Sequence, residues 1–134
     1  MEAKSPESTA HAFVNAINRH DLDALLALMS PSHCMIDSLG NRLEGRGNQR
    51  SAWVGYFRMV PDYEVTIEET ISSGPAVVML GMARGTYTRD GQMRPENRWQ
   101  TLLAVRARVN DGLLEEWRIY ADNEPMRRLM ANSG

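Results

Sequence analysis

The chain lacks several features that mark broad classes of protein. It has one cysteine, Cys34, in 134 residues, so it can form neither an intramolecular disulfide nor a zinc site built from cysteines. This cysteine content is typical of a reducing compartment, and we expect a cytoplasmic protein. The first residues are polar, and no apolar run approaches the ~18 residues that a transmembrane helix needs. The sequence therefore predicts neither a secretory signal nor contact with a membrane.

An excess of basic residues is also missing. The chain has 15 basic and 17 acidic residues, a net charge of -2, whereas proteins that bind nucleic acid usually carry a positive excess to neutralise phosphates. We therefore expect no nucleic-acid partner. Hydrophobic residues make up 43% and charged residues 24%, which is typical of a globular domain and not of a disordered chain. The length predicts a single domain over residues 1–134, with an ordered core at about 8–131.

The first half of the chain has apolar residues at helical spacing. Helices are predicted over residues 8–18, 22–29 and 48–59. Asp21 is a favourable N-cap for the second helix, and Pro31 follows its end.

The second half changes to the alternation typical of strands. Turns are indicated at Asp90-Gly91 and at Asn110-Asp111-Gly112, and a terminal helix is possible after Asp122. Helices followed by antiparallel strands predict the α+β class, with helices on one face of a curved sheet. Such a sheet leaves a cone that either side chains or a ligand must fill. Strands are predicted over residues 33–38, 42–44, 63–71, 76–88, 94–109 and 113–121.

Asp37 is the acidic residue with the most informative position. It shares a strand face with Met35 in a mostly apolar segment, so burial inside the cone would raise its pKa and suit it to proton transfer near neutral pH. The alternative is that Asp37 caps the turn at Leu39-Gly40, a common use of aspartate. The residue types alone leave both interpretations open.

Two further groups of residues are candidates for a ligand pocket. Gly81 and Ala83 lie on one face of a predicted strand and leave room there, although a glycine in a strand also marks a bulge or crowding by another backbone segment. Large aromatic side chains would either fill the core or line the pocket. They are Trp53 and Phe57 on the third helix and Tyr87, Trp99 and Trp117 on the strands.

Three segments of the chain resemble one known family. Residues 12–25, the Met35-Ile36-Asp37-Ser38 segment with Gly45-Arg46, and residues 110–125 are similar to parts of the SnoaL-like, ketosteroid-isomerase-like branch of the NTF2-like (cystatin-like) superfamily. The resemblance covers about residues 9–130. It implies a cone in which three N-terminal helices pack on a strongly curved antiparallel sheet. The superfamily includes both enzymes and non-catalytic binding domains, so this resemblance predicts the fold more closely than the chemistry.

The resemblance also implies roles for individual positions. Asp37 lies where ketosteroid isomerases have their proton-transferring base, but Phe13 occupies the position of the oxyanion-binding tyrosine and has no donor. The second oxyanion donor falls near Thr101 or Leu103, of which only threonine can donate a hydrogen bond. The final aspartate of related epoxide hydrolases falls near Ile119. Both family residue sets are therefore incomplete in this chain.

The resulting expectation is a small apolar molecule bound in the cone, with isomerase- or cyclase-type proton transfer. Asp37 is the predicted base, and Thr101 or Tyr87 the predicted hydrogen-bond donor. The alternatives are a dimeric, non-catalytic ligand-binding protein and a domain that only dimerises. We expect no cofactor and no metal, because each histidine is isolated in the sequence. The predicted ligand-binding residues are Phe13, Met35, Trp53, Phe57, Gly81, Ala83, Tyr87, Trp99, Leu103, Trp117 and Ile119.

The outer face of the predicted sheet suggests a protein partner. Leu102 and Ala104 interrupt a polar row on one strand, next to an apolar row at Val78, Leu80 and Met82. Apolar surface of this kind usually marks an interface. In the family that the chain resembles, this face pairs two subunits, and a twofold homodimer is therefore expected.

Overall fold

A computed structural model describes residues 5–132; the other residues of the predicted domain lie outside the described part. Four helices are present: α1 (Pro6–Asn18), α2 (Leu22–Ala27), α3 (Arg46–Met59) and α4 (Glu124–Asn132). Six strands are present: β1 (Met29–Ile36), β2 (Arg42–Glu44), β3 (Glu64–Ser73), β4 (Ala76–Thr86), β5 (Arg98–Asn110) and β6 (Leu113–Ala121). No helix of residues 5–132 is long and apolar enough to cross a bilayer.

The strands form one sheet in the order β2-β1-β6-β5-β4-β3. All neighbours are antiparallel except β1 and β6, which are parallel. The first three helices precede most of the strands and pack on one face of this sheet. The predicted α+β class and cystatin-like architecture are confirmed, with one parallel pair added.

Capping side chains mark the starts of α1 and α2. Ser5 is the N-cap of α1, and its side chain accepts a hydrogen bond from the Ser8 N–H at 3.1 Å. Asp21 caps α2 in the same way through the Ala24 N–H, also at 3.1 Å. These side chains satisfy amide groups that a helix leaves without internal partners.

The predicted end of α2 at residue 29 and the predicted start of β1 at residue 33 are both wrong. Met29 already belongs to β1, where it pairs with Leu114 of β6. The register of this pair shifts between Met29 and Cys34, which accommodates Pro31 inside the strand. Pairing with a segment far along the chain overrides the local helical pattern.

The two predicted turns differ in outcome. Asp111 and Gly112 have φ values of 52° and 75° and join β5 to β6, as the sequence predicts. The predicted hairpin at Asp90-Gly91 is wrong, because the β4–β5 connection spans residues 87–97 and contains a 3-10 turn at Pro95–Asn97. Asp90 instead holds this loop through an ion pair with Arg94 at 2.9 Å.

The inner face of the sheet carries the core. Helix α1 lies against it, and Phe13 and Ile17 are fully buried there. Alternate residues of β5 point to the same side and are buried at Val105, Ala107 and Val109. This packing closes one end of the cone.

Candidate functional site

A cavity of about 250 Å³ remains at the other end of the cone. Its walls come from β1, α3, the inner face of the sheet and the segment that leads into α4. They are mostly aromatic and aliphatic, with polar groups at Asp37, Ser38, Thr101 and Asn123. The lining residues are Met35, Asp37, Ser38, Ala52, Trp53, Tyr56, Tyr63, Ala83, Trp99, Thr101, Leu103, Ile119, Ala121 and Asn123.

The structure brings most of the residues predicted from sequence together around this cavity. They lie on five separate segments of the chain, so the fold and not their spacing assembles them. The predicted residues in the lining are Met35, Asp37, Trp53, Ala83, Trp99, Thr101, Leu103 and Ile119.

Other predicted residues lie outside the lining. Phe13 and Trp117 contact each other in the closed end, with ring centroids 4.6 Å apart. Phe57 stacks on the His20 ring at 4.1 Å. The Tyr87 hydroxyl accepts a hydrogen bond from Arg89 Nε at 2.9 Å. This contact lies within the β4–β5 loop.

Gly81 is explained by a close approach of two strands. A Cβ atom at this position would overlap the carbonyl oxygen of Thr66 on β3, with Ile67 Cα at 3.0 Å. The register of β3 and β4 shifts beside this point, between Ile67 and Glu69. Of the two sequence interpretations, backbone crowding at a bulge accounts for this glycine.

Asp37 lies in the cavity wall and also caps the adjoining turn. Its Oδ1 accepts hydrogen bonds from the N–H groups of Leu39 and Asn41, both at 2.9 Å, and Oδ2 accepts from Asn41 Nδ2 at 3.1 Å. Burial raises the pKa of Asp37, but the hydrogen bonds from Asn41, Leu39 and Gly40 together outweigh it and lower the pKa. The expectation of a raised pKa is therefore wrong, and the group is ionised near neutrality.

Neither of the hydrogen-bond donors predicted from sequence is available to a ligand in the cavity. Thr101 Oγ1 donates to the backbone oxygen of Asp122 at 2.9 Å, so only its lone pairs remain for a ligand. Tyr87, the other predicted donor, does not line the cavity. The fold provides different donors.

Tyr56 and Tyr63 are cavity residues that the sequence analysis missed. Their rings meet edge to face with centroids 4.9 Å apart, and burial raises the pKa of both phenols, that of Tyr63 to about 12. A signal for Tyr63 exists, because it shares an alternating face with Val65 and Ile67. Its placement beside α3 depends on long-range packing that spacing does not reveal.

The polar rim joins the β1–β2 turn to the start of α4. Asn123 Nδ2 donates to Ser38 Oγ at 2.6 Å, and both residues line the cavity. Tyr56 and Met126 of α4 are in contact behind this pair, with the hydroxyl 3.8 Å from the thioether sulfur. Helix α4 therefore helps to cover the cavity.

A second depression lies on the outside of the same end of the sheet. It has a volume of about 540 Å³ and is bordered by Asp62, Arg84 and Arg98 among others. The Asp62 carboxylate accepts hydrogen bonds from the N–H and the hydroxyl of Thr86, at 2.7 and 2.8 Å. This open, polar cleft has no enclosing apolar wall, so the cavity is the better candidate for a small-molecule site.

Metal ligands do not converge anywhere in residues 5–132, where no group of three His, Cys, Asp or Glu side chains could hold an ion. His33 is buried in the closed end and donates from Nδ1 to the Leu114 carbonyl at 2.8 Å. His11 contacts Thr70 and His20 contacts the Tyr63 carbonyl. Each histidine described has a separate structural contact.

Comparison with known proteins places this geometry in a wider group. A family profile described as SnoaL-like domain matches residues 10–117. No curated protein matches the chain.

Solved structures share the fold at low sequence identity. IdmH from Streptomyces antibioticus, a proposed polyketide cyclase, is 22% identical with a TM-score of 0.79, covering 96% of this chain and 99% of its own. An LEH-like epoxide hydrolase from M. tuberculosis is 20% identical with a TM-score of 0.78, covering 98% and 93%. An NTF2-like protein from Burkholderia pseudomallei is 21% identical with a TM-score of 0.77, covering 92% and 95%.

Proposed function

The chain belongs to the SnoaL-like domain family, and we propose that it binds a small hydrophobic molecule in the cavity and transfers a proton with Asp37 as base. The reaction is of the isomerase or cyclase type. Asp37 removes a proton from a carbon next to a carbonyl group, and the C–H electron pair forms the enolate. The proton then returns to carbon, either at the same position or at a conjugated one.

One observation carries this proposal: an ionised carboxylate lies in the wall of a largely apolar and aromatic cavity. The hydrogen bonds that lower the pKa of Asp37 also fix the position of its carboxylate. A bound apolar molecule would displace water from this group, and loss of water raises the basicity of a carboxylate.

The test uses 2-tetralone, a compact bicyclic ketone with acidic protons beside its carbonyl group. Exchange of these protons in deuterated water is followed by NMR with and without the protein. We expect the wild-type protein to accelerate exchange and Asp37→Asn to reduce that acceleration by at least about 100-fold, the usual contribution of a general base. The asparagine oxygen can still accept the turn hydrogen bonds from Leu39 and Asn41, so the fold is preserved.

Asp62→Asn is the matched control, because Asp62 also accepts a backbone N–H but lies outside the cavity. It is expected to keep the wild-type exchange rate. Unchanged exchange in Asp37→Asn would overturn the assignment of the base.

The capping role of Asp37 favours a second function, non-catalytic binding of the same class of ligand. On that hypothesis the carboxylate serves only the turn, through the contacts with Leu39 and Asn41. The protein would then bind 2-tetralone without accelerating proton exchange. Asp37→Asn would then leave ligand affinity unchanged.

We also propose that two copies of the chain associate through the outer face of the sheet. Leu102 is 74% exposed there and is paired across strands with Met82, while Ala104 is paired with Tyr120. Glu69 on β3 and Arg118 on β6 lie on either side of the two strands that carry this apolar surface. A twofold arrangement can place Glu69 of one copy near Arg118 of the other.

Light scattering at micromolar concentration tests the dimer. The wild-type mass should be that of two chains, and Leu102→Glu should shift it toward one chain, because a charge in an apolar interface loses its hydration. Leu39→Glu is the control, since Leu39 is 82% exposed on the β1–β2 turn, away from this face. A monomeric wild-type protein would rule out the pairing.

A further inference from the structure

We propose that the Tyr63 hydroxyl selects the ligand by donating a hydrogen bond to an acceptor oxygen, so that the site takes carbonyl-bearing molecules in preference to hydrocarbons of the same shape. This inference rests on the proposed function of the cavity. It adds a specificity-determining residue to that cavity.

Tyr63 is the cavity tyrosine whose hydroxyl has no partner in the described part of the chain. Among residues 5–132, the Tyr56 hydroxyl contacts Met126 Sδ and that of Tyr87 accepts from Arg89, whereas no hydrogen bond reaches the Tyr63 hydroxyl. This hydroxyl is not among the fully buried polar atoms that lack a partner, so a molecule in the cavity can reach it. A ligand oxygen in the cavity would supply that partner.

The Tyr63 ring is held in place before any ligand binds. Its backbone N–H donates to the Val60 carbonyl at 3.1 Å, and its own carbonyl accepts from His20 Nε2 at 3.1 Å. The ring packs against those of Tyr56 and Trp99, with centroids 4.9 and 6.1 Å away. A fixed donor loses little conformational entropy when it binds an acceptor.

The Tyr63 hydroxyl is a donor that a ligand can use. The indole nitrogens of Trp53 and Trp99 also lack partners in the described part of the chain, but they are fully buried and do not open onto the cavity. Burial raises the pKa of Tyr63 to about 12, and its hydroxyl therefore keeps its proton over the physiological range. A ligand oxygen can accept this proton in a hydrogen bond.

Tyr63 and Asp37 lie at separate positions in the cavity wall. Asp37 follows β1 and Tyr63 precedes β3, and three strands, β6, β5 and β4, lie between β1 and β3 in the sheet. Because the sheet curves, both residues still line one cavity. A bound molecule can thus present an oxygen to Tyr63 and a different edge to Asp37.

The experiment compares 2-tetralone with tetralin, the hydrocarbon of nearly the same shape that lacks the oxygen. Dissociation constants of both are measured by equilibrium dialysis for the wild-type protein, Tyr63→Phe and Tyr87→Phe. We expect Tyr63→Phe to weaken 2-tetralone binding by about two- to tenfold, the range for one neutral hydrogen bond. Tetralin binding should not change, and Tyr87→Phe should bind both ligands as the wild type does.

The outcomes separate this inference from the proposed function. Equal weakening of both ligands in Tyr63→Phe would mean that the side chain only packs, and no weakening of either would mean that it does not contact the ligand; each overturns the inference and leaves the cavity as a binding site. Failure of the wild-type protein to bind either molecule would overturn the proposed function and this inference with it. A thermal melt of Tyr63→Phe confirms that the variant is folded.

Discussion

The two halves of strand β5 show how one sheet face can build both a core and a cavity. Trp99, Thr101 and Leu103 point inward and line the cavity, while Val105 and Ala107 point inward on the same strand and are packed solid. The alternation of side chains is the same in both halves. The difference lies in what covers them.

Helix α1 covers the closed half and inserts Phe13, which contacts the rings of His33, Trp53 and Trp117. The open half is covered by α3 and the start of α4, and aromatic residues of α3 and of the segment before β3 meet there at their edges. Edge-to-face rings such as Tyr56 and Tyr63 enclose space without filling it. The presence of the cavity thus depends more on where the helices lie than on the sequence of the strand.

The largest expected effect comes from opening the closed half. Phe13→Ala should lower the free energy of unfolding by about 3–5 kcal/mol, because Phe13 is fully buried and a large void would remain. Leu103→Ala, in the cavity wall, should cost only about 2 kcal/mol, the low end for this substitution, since it enlarges an existing space. Urea unfolding measures both. Equal losses would show that the two halves do not differ in packing.

The next test adds volume instead of removing it. Ala83 and Ala107 are inward-facing alanines on adjacent strands, 3% and 0% exposed, but only Ala83 lines the cavity. Ala107→Leu should destabilise the fold by about 1–3 kcal/mol through overpacking. Ala83→Leu should cost less than about 1 kcal/mol, because the cavity can take the added carbon atoms, and it should block 2-tetralone binding.

Urea unfolding and equilibrium dialysis of this matched pair give the decisive comparison. If Ala83→Leu is as destabilising as Ala107→Leu, the cavity walls do not leave usable space. If Ala83→Leu is stable and still binds 2-tetralone, the ligand occupies another part of the molecule.

The sequence predicts those elements of the fold whose signals are local. The apolar stripe through Phe13 and Ile17 predicts α1, and the Asp111-Gly112 turn predicts the last hairpin. The start of β1 at Met29 could not be predicted, because it depends on pairing with Leu114, far along the chain. The same long-range contact makes this strand pair parallel.

In the candidate site, too, some features follow from local sequence and others depend on long-range contacts. Asp37 could be proposed because strand alternation places it on one face with Met35, and Trp99 because it is a large aromatic residue on a predicted strand. Thr101 could be proposed through the family resemblance. The sequence could not reveal that Thr101 donates to the Asp122 backbone or that Tyr63 remains without a partner. Hydrogen-bond partners are set by which segments meet in the fold, and a one-dimensional pattern does not contain that information.

The smallest expected effect concerns a titratable group in the closed half. His33 is 1% exposed and donates from Nδ1 to Leu114, so Nε2 must remain unprotonated to keep the imidazole neutral. Burial lowers the pKa of His33 below 6.5, and the Leu114 hydrogen bond opposes this only in part. The unfolded chain therefore binds the proton more tightly than the folded one. Stability should be complete above pH 6.5 and should fall as the pH drops through 6.5 toward the lowered value.

Urea unfolding at about pH 7.5 and about pH 5 measures this loss. His33→Asn should reduce the difference between the two conditions, because an asparagine amide can still donate to Leu114 and does not titrate. His11→Asn is the control, because His11 is half-buried beside Thr70 and lies outside the contact between His33 and Leu114; it should retain the wild-type difference. Asp37 does not interfere, since its pKa is lowered from 3.8 and lies below this range. An undiminished pH effect in His33→Asn would show that the closed half tolerates a charged imidazole, and that it is less tightly sealed than its packing indicates.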